Sequence, residues 1–332
     1  MLKVRWLLNV RASRGLAVLV LAATTLVAAS CAPGPMRVGM PGASGRTRPV
    51  LLRVQVREGQ RLVVREVSLE DYVAATALSE VHPDVADAGV AERMYEVQAV
   101  IARTYALANR GRHARDGFDL CSTTHCQLYE PARLTTSRWA TAARSASQQT
   151  NGEVLWYAEA TARAVYHADC GGRTSAATAV WGGPGPIYLS GEKDDGPAAN
   201  AHAEWSFETT LDNLHTALNS DPRTEVGAKL DGIEIAARDE AGRAEKILLR
   251  GSRTYVVRGE IFRDVLTRRL GARTVKSTMF SVKKVRGGFS FSGRGFGHGV
   301  GLCQAGALAR IRAGASLEDV LAHYFPGTTL KR

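Results

Sequence analysis

The segment Gly293–Ala307 reads GRGFGHGVGLCQAGA and places six glycines around His298 and Gln304. Glycine at this density permits left-handed backbone conformations and a close approach of the main chain to a ligand. Two interpretations follow. The segment is either a turn that leads into a helix, with His298 structural, or a binding loop in which His298 and Gln304 face a ligand. It lacks the spacing of the common nucleotide-binding glycine loops.

The composition is that of a folded protein with a basic surface. The chain has 332 residues, of which 45% are hydrophobic and 23% charged, with a formal net charge of +11. This length holds one large domain or two modest ones. The basic residues are scattered and are not interleaved with aromatics, so we expect no nucleic-acid partner. An anionic membrane surface or an acidic cell-wall polymer fits the charge.

The N-terminus has the pattern of an export signal. Four basic residues in the first 14 precede an apolar run over residues 16–29, which is short for a membrane span. Small residues lead directly to Cys31, as in a bacterial lipobox. We predict that residues 1–31 are a signal peptide, of the lipoprotein type with Cys31 lipidated; the alternative is an ordinary secretory signal. Residues 32–48 are rich in Pro, Gly, Ser and Arg and are predicted to be a flexible linker. Either route leads to an extracytoplasmic location in the cell envelope, where disulfides can form.

A carboxylate in an unusual position follows the linker. Residues 50–56 and 61–67 are typical of two strands of a hairpin. Ser68 and Asp71 have capping-box spacing and predict the start of a helix, which Pro83 ends. Glu80 falls on the apolar face of this helix. A buried carboxylate is costly unless it is paired or protonated. Glu80 is therefore either paired with an arginine of the next helix or is a general acid of raised pKa.

The rest of the chain predicts an α+β fold. A second helix is expected over Val90–Asn109, with Gln98 on its apolar face, where a polar amide needs a partner. Residues 183–287 mix strand and helix patterns and are predicted to form a second lobe, in which Ser206 begins a helix. The expected architecture is two lobes around a central cleft, with a helical motif-bearing core and mixed strands.

An ordered series of motifs runs through the chain: Glu80, residues 98–105 (QAVIARTY), 124–129 (THCQLY), 166–174 (YHADCGGRT), the His298 loop and 317–328 (LEDVLAHYFPGT). This series resembles the stage II sporulation protein D family, also called SpoIID/LytB or amidase-enhancer domains. The match covers roughly residues 50–330. A SpoIID/LytB-like domain is therefore expected over residues 49–332.

The resemblance implies a peptidoglycan lytic transglycosylase that cleaves peptide-stripped glycan strands and leaves 1,6-anhydromuramic ends. Glu80 would act as the single acid and base, with no cofactor required for catalysis. Two other interpretations stay open, a non-catalytic peptidoglycan-binding enhancer of a cell-wall amidase and a structural envelope lipoprotein. The resemblance implies glycan contacts for Gln98, Arg103, Thr104, Tyr105, Gln127, His167, Gly171, Gly172, Arg173, Thr174, Gly297, His298, Gly299 and Gln304.

The cysteines suggest metal or disulfide chemistry. Cys121, His125 and Cys126 lie close together in the sequence, with His113 upstream, and would form a tetrahedral structural zinc site. The alternatives are a Cys121–Cys126 disulfide or free thiols. Cys170 and Cys303 each lie inside a family motif and are candidates for neighbours that form a disulfide.

Overall fold

Strands β1 (Leu51–Glu58) and β2 (Arg61–Ser68) form the predicted hairpin. The computed structural model describes residues 49–83, 85–195, 198–199 and 202–332. The predicted signal peptide, Cys31 and the linker lie outside these residues. Residues 49–332 form one compact unit. Within the part that is described, no helix has the length and apolarity that a membrane crossing requires.

Helices and short sheets alternate along the chain, which confirms the predicted α+β class. The helices are α1 (Leu69–Glu80), α2 (Ala88–Ala108), α3 (Arg133–Thr136), α4 (Ala140–Gln149), α5 (Ala177–Trp181), α6 (Leu211–Leu218), α7 (Gly259–Leu270), α8 (Gln304–Arg312) and α9 (Leu317–Tyr324). The further strands are β3 (Leu120–Cys121), β4 (Val154–Tyr157), β5 (Ala160–Thr161), β6 (Tyr166–His167), β7 (Glu204–Thr210), β8 (Leu230–Arg238), β9 (Ala244–Gly251), β10 (Tyr255–Arg258), β11 (Phe280–Val285), β12 (Gly288–Arg294), β13 (Leu302–Cys303) and β14 (Thr329–Lys331).

The strands form small sheets. Their orders are β2-β1-β3, β14-β4-β5, β11-β12-β7 and β10-β9-β8, together with the parallel pair of β6 and β13. In that pair Tyr166 is opposite Leu302, and His167 is opposite Cys303. The pairing therefore joins two motifs that are far apart in the sequence, the one that begins at Tyr166 and the glycine-rich segment.

The two long N-terminal helices begin and end for reasons that the sequence shows. The Ser68 hydroxyl accepts a hydrogen bond from the Asp71 amide at 3.2 Å, and α1 ends at Glu80, just before Pro83. Helix α2 begins two residues earlier than predicted. The Asp87 side chain accepts from the amides of Gly89 and Val90 and so caps the helix at that point.

The buried apolar side chains form separate hydrophobic clusters. One extends from Ala77 to Phe325 and includes the apolar side of α2. Another gathers side chains between Trp205 and Phe291, which fall mostly within the residues predicted to form a second lobe. The cleft between lobes remains a prediction. One local expectation was wrong, because Ser206 lies in β7, and the helix begins only after Thr210, whose hydroxyl caps the Asn213 amide.

An ion pair between the buried Arg103 and the partly exposed Glu70 joins α1, α2 and α4. The Arg103 side chain is fully buried, and its Nε donates to a Glu70 carboxylate oxygen at 2.8 Å. Its terminal nitrogens contact the other Glu70 oxygen, the Ser147 and Glu153 carbonyls and the Thr150 hydroxyl. These contacts occupy the five guanidinium donors. Arg103 is thus a structural residue, and the glycan contact expected from the family resemblance is not open to it.

Replacement of Glu70 by alanine is expected to destabilise the protein by about 3 kcal/mol or more, because it leaves the Arg103 charge buried without its partner. Urea unfolding monitored by circular dichroism measures the change. Glu58→Ala is the matched control, since Glu58 pairs with Arg65 on the exposed hairpin, where ion pairs contribute little. Equal losses in the two variants would contradict the structural importance of the Arg103–Glu70 pair.

Candidate functional site

The Glu80 carboxylate lies at the C-terminal end of α1 and has no arginine partner among the described residues. One of its oxygens accepts a hydrogen bond from the Leu128 amide at 2.6 Å. Burial raises the pKa of the Glu80 carboxyl above its ordinary value, while this amide and the neighbouring Tyr166 hydroxyl act in the opposite direction. Of the two interpretations of this residue, pairing with an arginine of the next helix is therefore wrong. Glu80 is instead a partly buried carboxyl with a raised pKa, as the second interpretation requires.

A tyrosine and a glutamine support this carboxyl. The Gln127 side-chain nitrogen donates to the Tyr166 hydroxyl at 3.2 Å, and the Gln127 oxygen accepts from the Tyr72 hydroxyl at 3.1 Å. Burial raises the pKa of Tyr166 well above its ordinary value, so its hydroxyl stays protonated and can donate to Glu80. Tyr166 was not among the candidate site residues. Its place immediately before His167 in a family motif was the available signal.

Helix α8 brings a second amide to the same place. The Gln304 side-chain nitrogen donates to the Glu80 carbonyl at 3.4 Å and to the Gln98 oxygen at 3.3 Å. Gln98 is fully buried, and its own side-chain nitrogen has no partner among the described residues. The structure therefore gathers Gln98, Gln127 and Gln304 around the C-terminal end of α1, although they come from three distant segments.

His298 lies in a cluster of rings beside this carboxyl network. Its imidazole is 5.4 Å from that of His167 and 5.2 Å from the Trp181 ring, measured between centroids. The His298 Nδ1 accepts from the Val300 amide at 3.0 Å, so the proton of the neutral ring is on Nε2. Burial lowers the pKa of His298 to about 4, and the ring interacts with the main chain of Tyr166. At neutral pH His298 is a neutral group, suited to hydrogen bonding rather than to ion pairing.

His167 and the neighbouring glycines set the shape of this cluster. His167 Nδ1 lies 3.1 Å from the Val300 carbonyl, and its Nε2 is buried without a partner among the described residues. Gly297 has φ +105° and Gly299 has φ +82°. A side chain at Gly297 would come within 2.8 Å of the His167 Cβ, and one at Gly299 within 2.3 Å of the Arg243 Nε. Both positions therefore need glycine for backbone conformation and for space.

Two further residues for which glycan contacts were predicted, Thr104 and Tyr105, lie in α2 and bond other parts of the protein. The Thr104 hydroxyl donates to the Val100 carbonyl and accepts from the Leu155 amide, and the Tyr105 hydroxyl accepts from Arg112. The Thr104 hydroxyl is thus fully buried within the fold around α2, while the Tyr105 hydroxyl keeps its own proton as a donor, and its glycan contact stays a prediction.

The motif that follows Cys170 forms a turn. Gly171 and Gly172 both have positive φ. The Thr174 hydroxyl accepts from the Glu192 amide at 2.6 Å, and Arg173, which is about one-third exposed, pairs with Glu240 at 3.3 Å. Arg173 is the member of this group whose charge reaches solvent.

Four potential metal ligands gather next to the segment that bonds Glu80. The ligand atoms of His113, Cys121, His125 and Cys126 all lie within 4.8 Å of one another. The Cys126 sulfur is 3.3 Å from His113 Nε2 and 3.7 Å from His125 Nδ1. Both cysteines are free thiols in the structure. The set fits a tetrahedral Cys₂His₂ zinc site, and His113, the most distant of the four in the sequence, belongs to it by position.

The cysteines of the other two motifs also meet. The Cys170 amide donates to the Cys303 sulfur at 3.2 Å, so the expected neighbourhood is confirmed, and both residues are free thiols.

Comparison with known proteins agrees with these motifs. A family model described as stage II sporulation protein matches residues 57–157, and a model of a domain of unknown function matches residues 181–301. An amidase enhancer of Bacillus subtilis is 28% identical over 278 residues, which cover 71% of this chain and 37% of that protein. A stage II sporulation protein D of Bacillus amyloliquefaciens is 27% identical over 281 residues, 80% of this chain and 75% of that protein. An uncharacterized protein of Brachyspira hyodysenteriae is 29% identical over 271 residues, 81% and 68% respectively. The chain thus matches little more than a third of the amidase enhancer.

Replacement of Tyr166 by phenylalanine is expected to raise the pKa of Glu80 further, because it removes a hydroxyl that donates to the carboxylate. Titration of ¹³C-labelled glutamate carboxyls by NMR measures this value. Tyr255→Phe in β10 serves as the control, since that ring lies outside the Glu80 network. A Glu80 pKa that is unchanged or lower in Tyr166→Phe would contradict the proposed hydrogen bond.

Proposed function

Since the chain belongs to the SpoIID/LytB family, we propose that it is a lytic transglycosylase acting on the glycan strands of peptidoglycan. The observation that carries the proposal is the Glu80 carboxyl. It is partly buried, has a raised pKa and is held by an amide and a tyrosine hydroxyl instead of by a basic side chain. A carboxyl of this kind holds its proton to higher pH than an exposed one, which is what a general acid needs.

The proposed reaction uses this carboxyl twice. Protonated Glu80 gives its proton to the glycosidic oxygen as the bond to the muramic anomeric carbon breaks. The resulting carboxylate then takes the proton of the 6-hydroxyl of the same sugar, whose oxygen closes onto the anomeric carbon to form the 1,6-anhydro ring. The proton lost in the first step is regained in the second, and no water is consumed. Only one carboxyl is needed, in contrast to hydrolases that activate a water with a second.

The surrounding side chains would bind the sugar. Gln304 is partly exposed next to the Glu80 backbone and offers an amide group to a glycan hydroxyl, while the buried Gln98 accepts from the Gln304 amide and orients it. Trp181 is 44% exposed beside His298 and presents a flat apolar surface of the kind that packs against sugar rings. A neutral His298 would hydrogen-bond hydroxyl groups without contributing charge.

Non-catalytic enhancement of a cell-wall amidase is the second candidate function. It is favoured by the relative that is named an amidase enhancer. In that case the residues around Glu80 and His298 would bind glycan strands, and a cell-wall amidase would be the partner. Glu80 supports the enzymatic candidate, since proton transfer needs a carboxyl of raised pKa at the bond to be cleaved.

Zinc at the four-ligand cluster would be structural. His113, Cys121, His125 and Cys126 would hold the ion, and a bound zinc would fix the backbone up to Gln127 and Leu128, which contact Tyr166 and Glu80. Metal content measured by elemental analysis is expected to fall by one zinc per chain in Cys126→Ser relative to the unchanged protein. Ser122→Ala is the control because it alters a neighbouring residue outside the cluster. Undiminished zinc in Cys126→Ser would contradict the assignment.

The protein would work outside the cytoplasm. Export through the predicted signal peptide, with attachment to the membrane through Cys31, would place the folded part beside the wall. A net charge of +11 favours contact with acidic wall polymers. These steps rest on the N-terminal pattern and on the family, and cleavage chemistry does not depend on them.

Replacement of Glu80 by glutamine is expected to abolish strand cleavage and to leave the folded protein at least as stable at pH 7. The folded state raises the pKa of Glu80, so this group stabilises the fold below its unfolded pKa, and that contribution is lost as the pH rises through the folded pKa. Glutamine has no such loss.

The measurement is mass spectrometry of peptide-stripped glycan strands incubated with each protein, with 1,6-anhydromuramic ends as the product. Glu66→Gln, on the exposed hairpin, is the matched control. Cleavage by well-folded Glu80→Gln at the unchanged rate would overturn the mechanism. Absence of product with every variant, together with retained glycan binding, would support the enhancer function.

A further inference from the structure

A second group of potential ligands lies where β6 and β13 meet, and the proposed reaction uses none of its members. The ligand atoms of Asp169, Cys170, His202 and Cys303 are all within 4.8 Å of one another. The side chains are almost wholly enclosed, with 4% of His202 and 9% of Asp169 exposed and both cysteines buried completely. Three of the four, Asp169, Cys170 and Cys303, come from family motifs that the β6–β13 pairing brings together, while His202 comes from a segment without any recognisable motif.

We propose that this group binds a thiophilic divalent cation of the Zn²⁺ class, with Cys170, Cys303 and His202 as ligands and Asp169 as the residue that orients His202. Two thiolates and an imidazole are a donor set that zinc prefers over the oxygen-seeking cations. The site is distinct from the His113 cluster.

Asp169 is arranged to hold an imidazole in one orientation. Its Oδ1 lies 2.7 Å from His202 Nδ1 and accepts from the Gly171 amide at 2.8 Å, and its Oδ2 accepts from the Ala203 amide at 2.8 Å. A carboxylate on Nδ1 keeps the proton there and leaves Nε2 free for a metal, which is the usual arrangement behind a metal-bound histidine. His202 Nε2 is 3.9 Å from the Cys170 sulfur. Ligand atoms on a tetrahedral zinc are roughly 3.5 Å apart, so a small rotation of the ring completes the approach.

The backbone around the two sulfurs favours negative charge on them. The Cys303 sulfur accepts from the amides of Cys170 at 3.2 Å and Gly306 at 3.3 Å, and the Cys170 sulfur accepts from the Gly172 amide at 3.3 Å. A neutral thiol is a weak acceptor, whereas a thiolate forms strong charge-assisted bonds with such donors. Cys303 is also the N-cap of α8, where the helix dipole favours an anion.

Groups of both charges lie near the Cys170 sulfur, and its thiol pKa is raised by the Cys303 side chain, by burial and by the Asp194 carboxylate. The Cys170 sulfur lies 3.3 Å from a carboxylate oxygen of Asp194, to which it donates as long as it keeps its proton. Arg310 pairs with that carboxylate at 3.1 Å, and the buried Arg243 donates to the Cys170 carbonyl at 2.6 Å. Two fixed cations therefore offset the acidic groups. Binding of the metal would displace the two thiol protons.

The test uses the purified full-length protein, prepared under reducing conditions without chelator, in a Cys126→Ser background that disables the first cluster. Zinc is measured by elemental analysis. The expected result is one zinc per chain in Cys126→Ser and none after the further change Cys303→Ser. Absence of zinc in Cys126→Ser after incubation with Zn²⁺, zinc that survives Cys303→Ser, or a Cys170–Cys303 disulfide in the peptide map of protein isolated without reductant would overturn the proposal.

Cobalt provides a readout that does not require the cysteine variant to fold. Titration of Cys126→Ser with Co²⁺ is expected to produce the near-ultraviolet sulfur-to-cobalt charge-transfer band of thiolate ligation. Asp169→Asn should weaken Co²⁺ binding about 10–100-fold, the effect usual for loss of a group that orients a ligand. Asp212→Asn, an exposed change in α6, is the control and should leave it unaltered. No charge-transfer band, or equal affinities in the two Asp variants, would count against the site.

Discussion

The ion pair of Glu70 with the buried Arg103 is the constraint on which the rest of the site depends. A guanidinium that is fully excluded from water has to satisfy its donors within the protein, and Arg103 does so with groups from α1, α4 and the segment before β4. Glu80 lies on α1 about 15 Å further along the axis, because each residue adds about 1.5 Å. A helix fixed in this way at its N-terminal end delivers the carboxyl at its other end to a defined place. Helix α1 therefore links the Arg103–Glu70 ion pair to the position of the Glu80 carboxyl.

The opposite side of the site is positioned by the main chain rather than by an ion pair. The β6–β13 pairing sets Tyr166 next to the glycine-rich segment, and Gln304 follows at the first turn of α8. Gly297 and Gly299 adopt conformations in which another residue would collide with His167 or Arg243. Each of these two glycines therefore allows one close contact of the backbone with a neighbouring side chain, and the contacts hold the segment in one conformation. The density of glycine in the sequence reflects this packing as much as any contact with a ligand.

Local features of the fold could be predicted from the sequence, and contacts between distant segments could not. The start of α1 at Ser68 and its end before Pro83 follow from rules that act within a few residues, whereas burial of nearly all of α1 does not follow from a single apolar face. The prediction that a helix begins at Ser206 was wrong because β7 continues to Thr210, and it is Thr210 that caps α6. The role of Arg103 depends on Glu70, which is 33 residues away, and its burial could not be inferred from a family motif that treats it as a ligand group.

The same limit applies to the site itself. The family motifs named Gln98, Gln127 and Gln304 without showing that they meet around Glu80. Tyr166 and Trp181 became visible only through contacts with the carboxyl and with His298. His202 has no signal in the sequence at all, since a histidine in an irregular segment is common and its partner Asp169 is 33 residues away.

The raised pKa of Glu80 bears on function independently of the similarity to known proteins. A partly buried carboxyl with raised pKa reduces stability at neutral pH, and an uncharged side chain of the same shape would avoid that cost. The surroundings could have lowered the cost with an arginine, as they do for Glu70, yet they supply one amide and one hydroxyl. These hold the carboxylate without fixing its charge, so the group can release a proton and take it up again. A carboxyl with this property supports the proton transfer proposed for Glu80.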